Sequence, residues 1–251
     1  MGRLGEETQV LHVDDYKKHV RLTEVALREV EETLEILCET TVEDGLAVFR
    51  DSETDVDCIV SDYVMPQKDG LDFLAAVRDD DQKFPFILFT GQGSEEIAST
   101  AISAGVTDYL QKGHGMGTFQ VLANRITNAV TRYRTEKEIK QVYEAMEAAQ
   151  DGISLLNDEG QFTYVNQAYA TLYGYEPDEL LGEHWSLIYP DEEVIHVKEN
   201  ILNAINEGEK WHGETTGLRK DGSTFREDHI LVHRDDGGLI CSVSKISGSS
   251  S

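Results

Sequence analysis

Short apolar runs at residues 8–13, 33–38, 57–62, 85–90 and 107–111 alternate with segments whose apolar positions recur every three or four residues. The runs read as buried strands, and the intervening segments at 16–29, 42–51, 69–79, 94–104 and 117–133 read as helices. Helix 69–79 carries Leu71, Phe73, Leu74 and Val77 on one face, with Asp69 before Gly70 as its cap. Ser94, Glu95 and Glu96 suit the start of the fourth helix, as a cap residue followed by first-turn acids. This alternation predicts a doubly wound five-stranded parallel sheet covered on both faces.

The helical pattern then outlasts a single crossover. Phe119, Leu122, Ile126, Val130 and Tyr133 form one apolar stripe, and Ile139, Val142, Met146 and Ala149 form another beyond a charged interval. No Gly or Pro interrupts residues 118–150, so one long helix, or two nearly continuous ones, joins two domains. The second stripe suits either a short coiled coil or a helix packed on its own following domain. After Gln150 the period changes. Strand-like runs at 152–156, 162–165, 211–219, 223–233 and 238–246 surround short helical pieces at 166–172, 177–181 and 191–207. Turn clusters such as Asn157-Asp158-Glu159-Gly160 and Lys220-Asp221-Gly222 separate the strands, which predicts an antiparallel α+β domain.

Composition narrows the partners. The chain of 251 residues holds 48 acids against 22 bases, a formal charge of −26. Such a balance repels nucleic acid and anionic lipid, so neither is expected as a partner. The acids are spread through the chain, as on the solvated surfaces of proteins from salt-rich cytoplasm, where a Debye length of about 3 Å at 1 M screens their repulsion. Cys38, Cys58 and Cys241 are too scattered for a disulfide framework or a zinc site. The first residues lack an apolar signal core, and no run approaches ~18 apolar residues, so a soluble cytoplasmic protein is expected. Gly248-Ser249-Ser250-Ser251 reads as a flexible end.

The predicted strands end on polar residues. Asp14 and Asp15 close the first, Asp62 the third, Thr90 the fourth and Lys112 the fifth. Parallel strands with right-handed crossovers bring all these ends to one edge. The acidic pair, the segment Asp62-Tyr63-Val64-Met65-Pro66 with Asp69-Gly70, and Thr90, Tyr109 and Lys112 together resemble the receiver domain of two-component response regulators, a flavodoxin-like fold, over residues 8–133. The resemblance implies that Asp62 accepts a phosphoryl group from a histidine kinase. It implies Mg²⁺ held by Asp15, by Asp14 through water, by Asp62 and by the backbone carbonyl of Val64. Thr90 and Lys112 would hold the phosphoryl oxygens, and Tyr109 would turn inward as Thr90 moves. The added charge of about −1.5 to −2 would then bias the surface around the fourth helix and fifth strand. Two positions depart from the usual pattern. Gly113 stands where many receivers have proline, and Val64, which with Gln92 flanks the path of hydrolytic water, offers no polar group.

The second half resembles a PAS domain through Asp151-Gly152-Ile153, Asp158-Glu159-Gly160, Tyr164-Val165-Asn166, Tyr173-Gly174-Tyr175, Glu179-Leu180-Leu181-Gly182 and Lys220-Asp221-Gly222-Ser223. The implied organisation is a receiver at 1–133, a helical linker at 134–150 and a PAS sensor or interaction domain at 151–251. Its ligand is open. The Gly182-Glu183-His184-Trp185 stretch lacks the reactive cysteine of photoactive flavin relatives, which argues against a flavin adduct. His196 occupies the helix where haem-binding relatives place an axial ligand, yet it lies among charged residues, so haem is not expected. Tyr169, Tyr173 and Trp185 read as core aromatics.

The expected function is a phosphorelay response regulator, not an enzyme, that passes the state of Asp62 along the helix to the PAS domain. A homodimer is expected through the face of the fourth helix, fifth strand and fifth helix, through the linker helix, or through the PAS domain. Two alternatives need a longer native chain: the front of a hybrid sensor kinase, and a transcriptional regulator. An aspartyl phosphatase would carry a second Asp at position 64, where Val64 stands.

Overall fold

Strands whose residues are apolar on both faces fold only where helices cover both faces. The computed structural model, which describes residues 7–91, 95–113, 115–202 and 210–246, follows that rule. Strands β1 (Thr8–Val13), β2 (Leu34–Glu39), β3 (Cys58–Ser61), β4 (Phe86–Thr90) and β5 (Asp108–Gln111) pair in parallel in the order β2-β1-β3-β4-β5. Every residue of β3 and β4 is buried. Alternate residues feed two cores. Val10, Val60 and Ile87 pack with Leu27, Leu122 and Ile126 on one face, and Leu11, Ile59 and Leu88 pack with Phe73, Leu74 and Val77 on the other.

The covering helices are α1 (Lys17–Val30), α2 (Val42–Phe49), α3 (Gly70–Asp80), α4 (Glu95–Ser103) and α5 (Met116–Ala148). Asp69 caps α3 as expected, accepting from the N–H groups of Leu71 and Asp72 while Asp72 reaches back to the Asp69 N–H. The expected cap Ser94 and the neighbouring Gln92 lie outside the described residues.

Helix α5 is continuous, resolving the choice between one helix and two. Phe119, Leu122, Ile126 and Val130 of its first stripe are buried and Tyr133 is half-buried, whereas Ile139 and Val142 are 64% and 60% exposed. The chain divides into two compact units, residues 1–138 and 139–251, so the boundary falls inside this helix. Contacts from Tyr133 onward explain the position. Tyr133 Oη donates to Asp81 at 2.6 Å, Arg134 pairs with Asp57 at 2.7 Å, and Lys83 pairs with Glu136 at 3.0 Å.

In the second unit β6 (Gly152–Leu156), β7 (Phe162–Val165), β8 (Trp211–Leu218), β9 (Thr224–His233) and β10 (Leu239–Lys245) form an antiparallel sheet ordered β7-β6-β10-β9-β8. Helices α6 (Gln167–Tyr173), α7 (Pro177–Leu180) and α8 (Asp191–His196) lie between β7 and β8 in the chain. Asn166, expected inside α6, instead caps it by accepting from the Tyr169 N–H at 2.9 Å. Gly174 ends that helix in the left-handed conformation, φ 77°, that glycine adopts without strain. The expected helical piece 191–207 is helical as far as it is described. It changes after His196 into a π-helical turn, Val197–Ile201, and its last residues lie outside the described ones. A 3₁₀ turn at Trp185–Ile188 was not foreseen. Tyr169, Tyr173 and Trp185 are core residues, and Trp211 packs against the same core. Among the described residues no helix is long and apolar enough to cross a membrane.

Candidate functional site

The parallel sheet delivers its strand ends to one edge, where Asp14 follows β1, Asp62 follows β3, Thr90 ends β4 and Lys112 follows β5. Carboxylate oxygens of Asp14, Asp15 and Asp62 lie within 4.8 Å of one another. Asp14 is fully buried, Asp62 nearly so, and Asp15 is exposed. The Lys112 ammonium donates to Asp14 Oδ2 at 2.5 Å and to Asp62 Oδ2 at 3.0 Å. It also sits 5.7 Å from the centre of the Phe89 ring. The other oxygen of each acid is held by the backbone. The Tyr16 N–H donates to Asp14 Oδ1 at 2.8 Å and the Tyr63 N–H to Asp62 Oδ1 at 2.7 Å.

Three carboxylates against one ammonium leave an excess of two negative charges. Hard oxygen ligands with that charge fit a divalent cation such as Mg²⁺, which binds one or two carboxylates and keeps several waters. Thr90 is 1% exposed, and its carbonyl accepts from the Lys112 N–H at 2.7 Å, which fixes the β5 end beside β4. Val64 is 46% exposed in the loop after Asp62. Tyr109 is half-buried on β5 against the core that includes Leu88, and burial raises its phenol above the usual range. Gly113 has a local reason: a Cβ there would meet Thr118 Oγ1 at 2.5 Å, so the hydroxyl of α5 occupies the space that a side chain would need.

Two neighbours of the site, His12 and His19, escaped the sequence reading. His12 lies in β1, fully buried, and burial lowers its pKa to about 4. Among the described residues neither of its ring nitrogens has a hydrogen-bond partner. Its phase with Val10 and Asp14 along β1 was the available signal. His19, in the first turn of α1, brings Nδ1 to 3.5 Å from Asp14 Oδ2. Gly70, already part of the sequence pattern, also borders the site. A Cβ there would fall 2.4 Å from the Asp62 carbonyl oxygen and 2.8 Å from Leu88 Cδ2. Gly70→Ala is therefore expected to push α3 off the Asp62 loop and destabilise the first unit by roughly 1–3 kcal/mol. Urea unfolding checks this, and an unchanged midpoint would refute it.

The second unit encloses a cavity of about 20 Å³, room for about one water, between Phe162, Trp185, Tyr189, Val197, His229 and Cys241. Burial pushes the Cys241 thiol up to about 12, so it is not a nucleophile at neutral pH. His196 is exposed, contacts Asn200 through Nδ1 at 3.2 Å and does not line the cavity. Cys58 is likewise buried with its thiol pKa raised, and half-buried Cys38 is raised to about 11.

Residues 10–124 match the family described as the response regulator receiver domain, and residues 150–245 match the PAS domain. The chemotaxis protein CheY of Halobacterium salinarum is 37% identical over 106 residues, 41% of this chain and 83% of that protein. The bacterioopsin transcriptional activator of the same species is 26% identical over 207 residues, 75% of this chain but only 30% of the activator's length. A receiver domain structure from Clostridium thermocellum has a TM-score of 0.46 at 24% identity, covering 51% of this chain and 98% of that one. The chain belongs to the response regulator receiver family, and its receiver domain is followed by a PAS domain.

Proposed function

We propose that this chain is a phosphorelay protein that accepts a phosphoryl group on Asp62 from the phosphohistidine of a histidine kinase. The observation that carries this reading is the meeting of Asp14, Asp15, Asp62 and Lys112 at one sheet edge. An Asp62 carboxylate oxygen attacks phosphorus as the donor's N–P bond breaks, and the imidazole leaves with the bonding pair. Asp15, Asp14 through water, Asp62 and the Val64 carbonyl would hold Mg²⁺, which offsets the charge of the transferred oxygens. Lys112 then trades its contact with the Asp62 carboxylate for one with the phosphoryl group, and Thr90 donates its hydroxyl. Tyr109 turns inward as Thr90 moves. The receiver, its helix and the PAS domain, taken as 1–133, 134–150 and 151–251, act in series.

Incubation of the whole chain with acetyl phosphate and Mg²⁺, followed by intact mass, tests the reading. One phosphoryl group per chain, lost when the cation is chelated, supports it. Steady release of phosphate from an ester without a trapped adduct would replace it with a phosphatase. The exposed Ile139 and Val142 support pairing of two copies through the linker helix, alongside the α4-β5-α5 face and the PAS domain. Val64 is apolar beside Asp62 and cannot orient a hydrolytic water. Val64→Asn is accordingly expected to shorten the phosphoryl lifetime several-fold, read as the decay of the phosphorylated mass; an unchanged decay rate counts against this.

A second reading is favoured by the bacterioopsin transcriptional activator, which matches 75% of this chain. Here the receiver and PAS domains form the front of a larger regulator. A reading frame that continues past Ser251 into an effector or kinase domain supports it, and a stop codon there removes it.

A further inference from the structure

The inward face of β9 presents Phe225, Glu227, His229 and Leu231 to the core of the second unit, so two of these four buried positions are titratable. Glu227 is 0% exposed. Its carboxylate accepts from Tyr173 Oη of α6 at 2.5 Å and from Thr215 Oγ1 of β8 at 2.7 Å. The Tyr189 hydroxyl, 2.9 Å from His229 Nδ1, also lies near it. The opposite strand leaves room for this group. A Cβ on Gly217 would lie 2.8 Å from Glu227 Oε2 and 2.8 Å from the Phe225 ring.

No cation balances the carboxylate among the described residues. From α6 it is faced by Tyr169 and Tyr173, from β8 by Thr215, from the segment before α8 by Tyr189, from α8 by Glu193 and from β10 by Cys241. Lys245, its register partner on β10, is exposed. On β9 itself His229 Nδ1 stands 3.9 Å from Oε1, but burial draws that imidazole down to about 3, so the ring is neutral.

We propose that Glu227 is a proton switch in the core of the second unit, whose protonation state sets how α6 and β8 are tied to β9. Ionised, the carboxylate accepts from hydroxyls on two different elements, α6 and β8. Protonated, it becomes a donor, so at least one of those hydroxyl contacts must reverse or break. Burial raises the Glu227 pKa against the opposing pull of the hydroxyls around it. The sign follows from linkage. In the interval between the unfolded and folded pKa the native chain retains a proton that the unfolded chain has released. This contribution to stability is fully present below the ordinary glutamate range and is lost as pH rises through the folded value.

The test uses the full chain with ¹³C-labelled glutamate at fixed ionic strength, following carboxyl shifts and the amides of Tyr173 and Thr215 from pH 4 to 8. The Glu227 carboxyl is expected to titrate above the ordinary glutamate range, with both amides moving at the same midpoint. Glu227→Gln should remove that titration and flatten the amide response. Tyr173→Phe, which deletes a donor to the ionised form, should move the midpoint upward. The proposal is overturned if all glutamates titrate together in the ordinary range, or if the amide transitions persist unchanged in Glu227→Gln. Should that variant not fold, an unmoved midpoint in Tyr173→Phe overturns it equally.

Discussion

Asn at position 62 is expected to leave the chain unable to take up any phosphoryl group from acetyl phosphate, against one group per chain in the unsubstituted protein. The amide is isosteric with the acid and can still accept from the Tyr63 N–H, which now donates at 2.7 Å, so the loop should hold. The substitution removes the nucleophilic oxygen together with the carboxylate charge that pairs with Lys112. Asp14 and Asp15 remain close by, and they provide the internal control, because neither follows β3 into the Pro66- and Gly70-marked loop. Residual stoichiometric uptake in Asp62→Asn would show that another carboxylate is the acceptor. Uptake at a normal rate would remove the acceptor assignment altogether.

Lys112→Met should have the largest effect on stability. The ammonium is the cation paired with both Asp14 and Asp62, and the three side chains are only 14%, 0% and 12% exposed. Removing one partner of a buried ionic cluster leaves uncompensated charge, a cost of about 3–5 kcal/mol. Methionine preserves most of the aliphatic stem, so lost packing contributes little. The loss should be measured in chelator by denaturant unfolding of the first unit. Added Mg²⁺ should return much of it, since a ligand that binds only the folded state stabilises by about 2.7 kcal/mol at a hundred times its Kd. A variant as stable as the parent in chelator would mean that the acids are relaxed by solvent, and that Lys112 does not hold the pocket together.

Much of this arrangement was legible in the sequence because buried parallel strands are written as unbroken apolar runs. Cys58–Ser61 and Phe86–Thr90 are such runs, and the polar residues at their ends mark the edge where the site lies. Asp69 was legible as a cap because the capping chemistry is local. Other features depend on contacts distant in sequence. The extension of the first unit to residue 138 rests on pairs such as Lys83 with Glu136, which no period along α5 encodes. Lys112 was expected to pair with Asp62, but its closer contact is with Asp14. Glu227 was overlooked because an acid reads as a surface residue, although it lies in phase with Phe225 and Leu231. The π-helical turn after His196 has no composition that separates it from an α-helix.

The placement of the indole rings has a practical corollary. The chain holds two tryptophans, Trp185 and Trp211, and both belong to the second unit. Intrinsic fluorescence excited in the indole band therefore watches that unit alone. If acetyl phosphate shifts its emission or quenching in the parent chain but not in Asp62→Asn, the change began in the first unit, and the tryptophans then serve as a label-free detector of transmission.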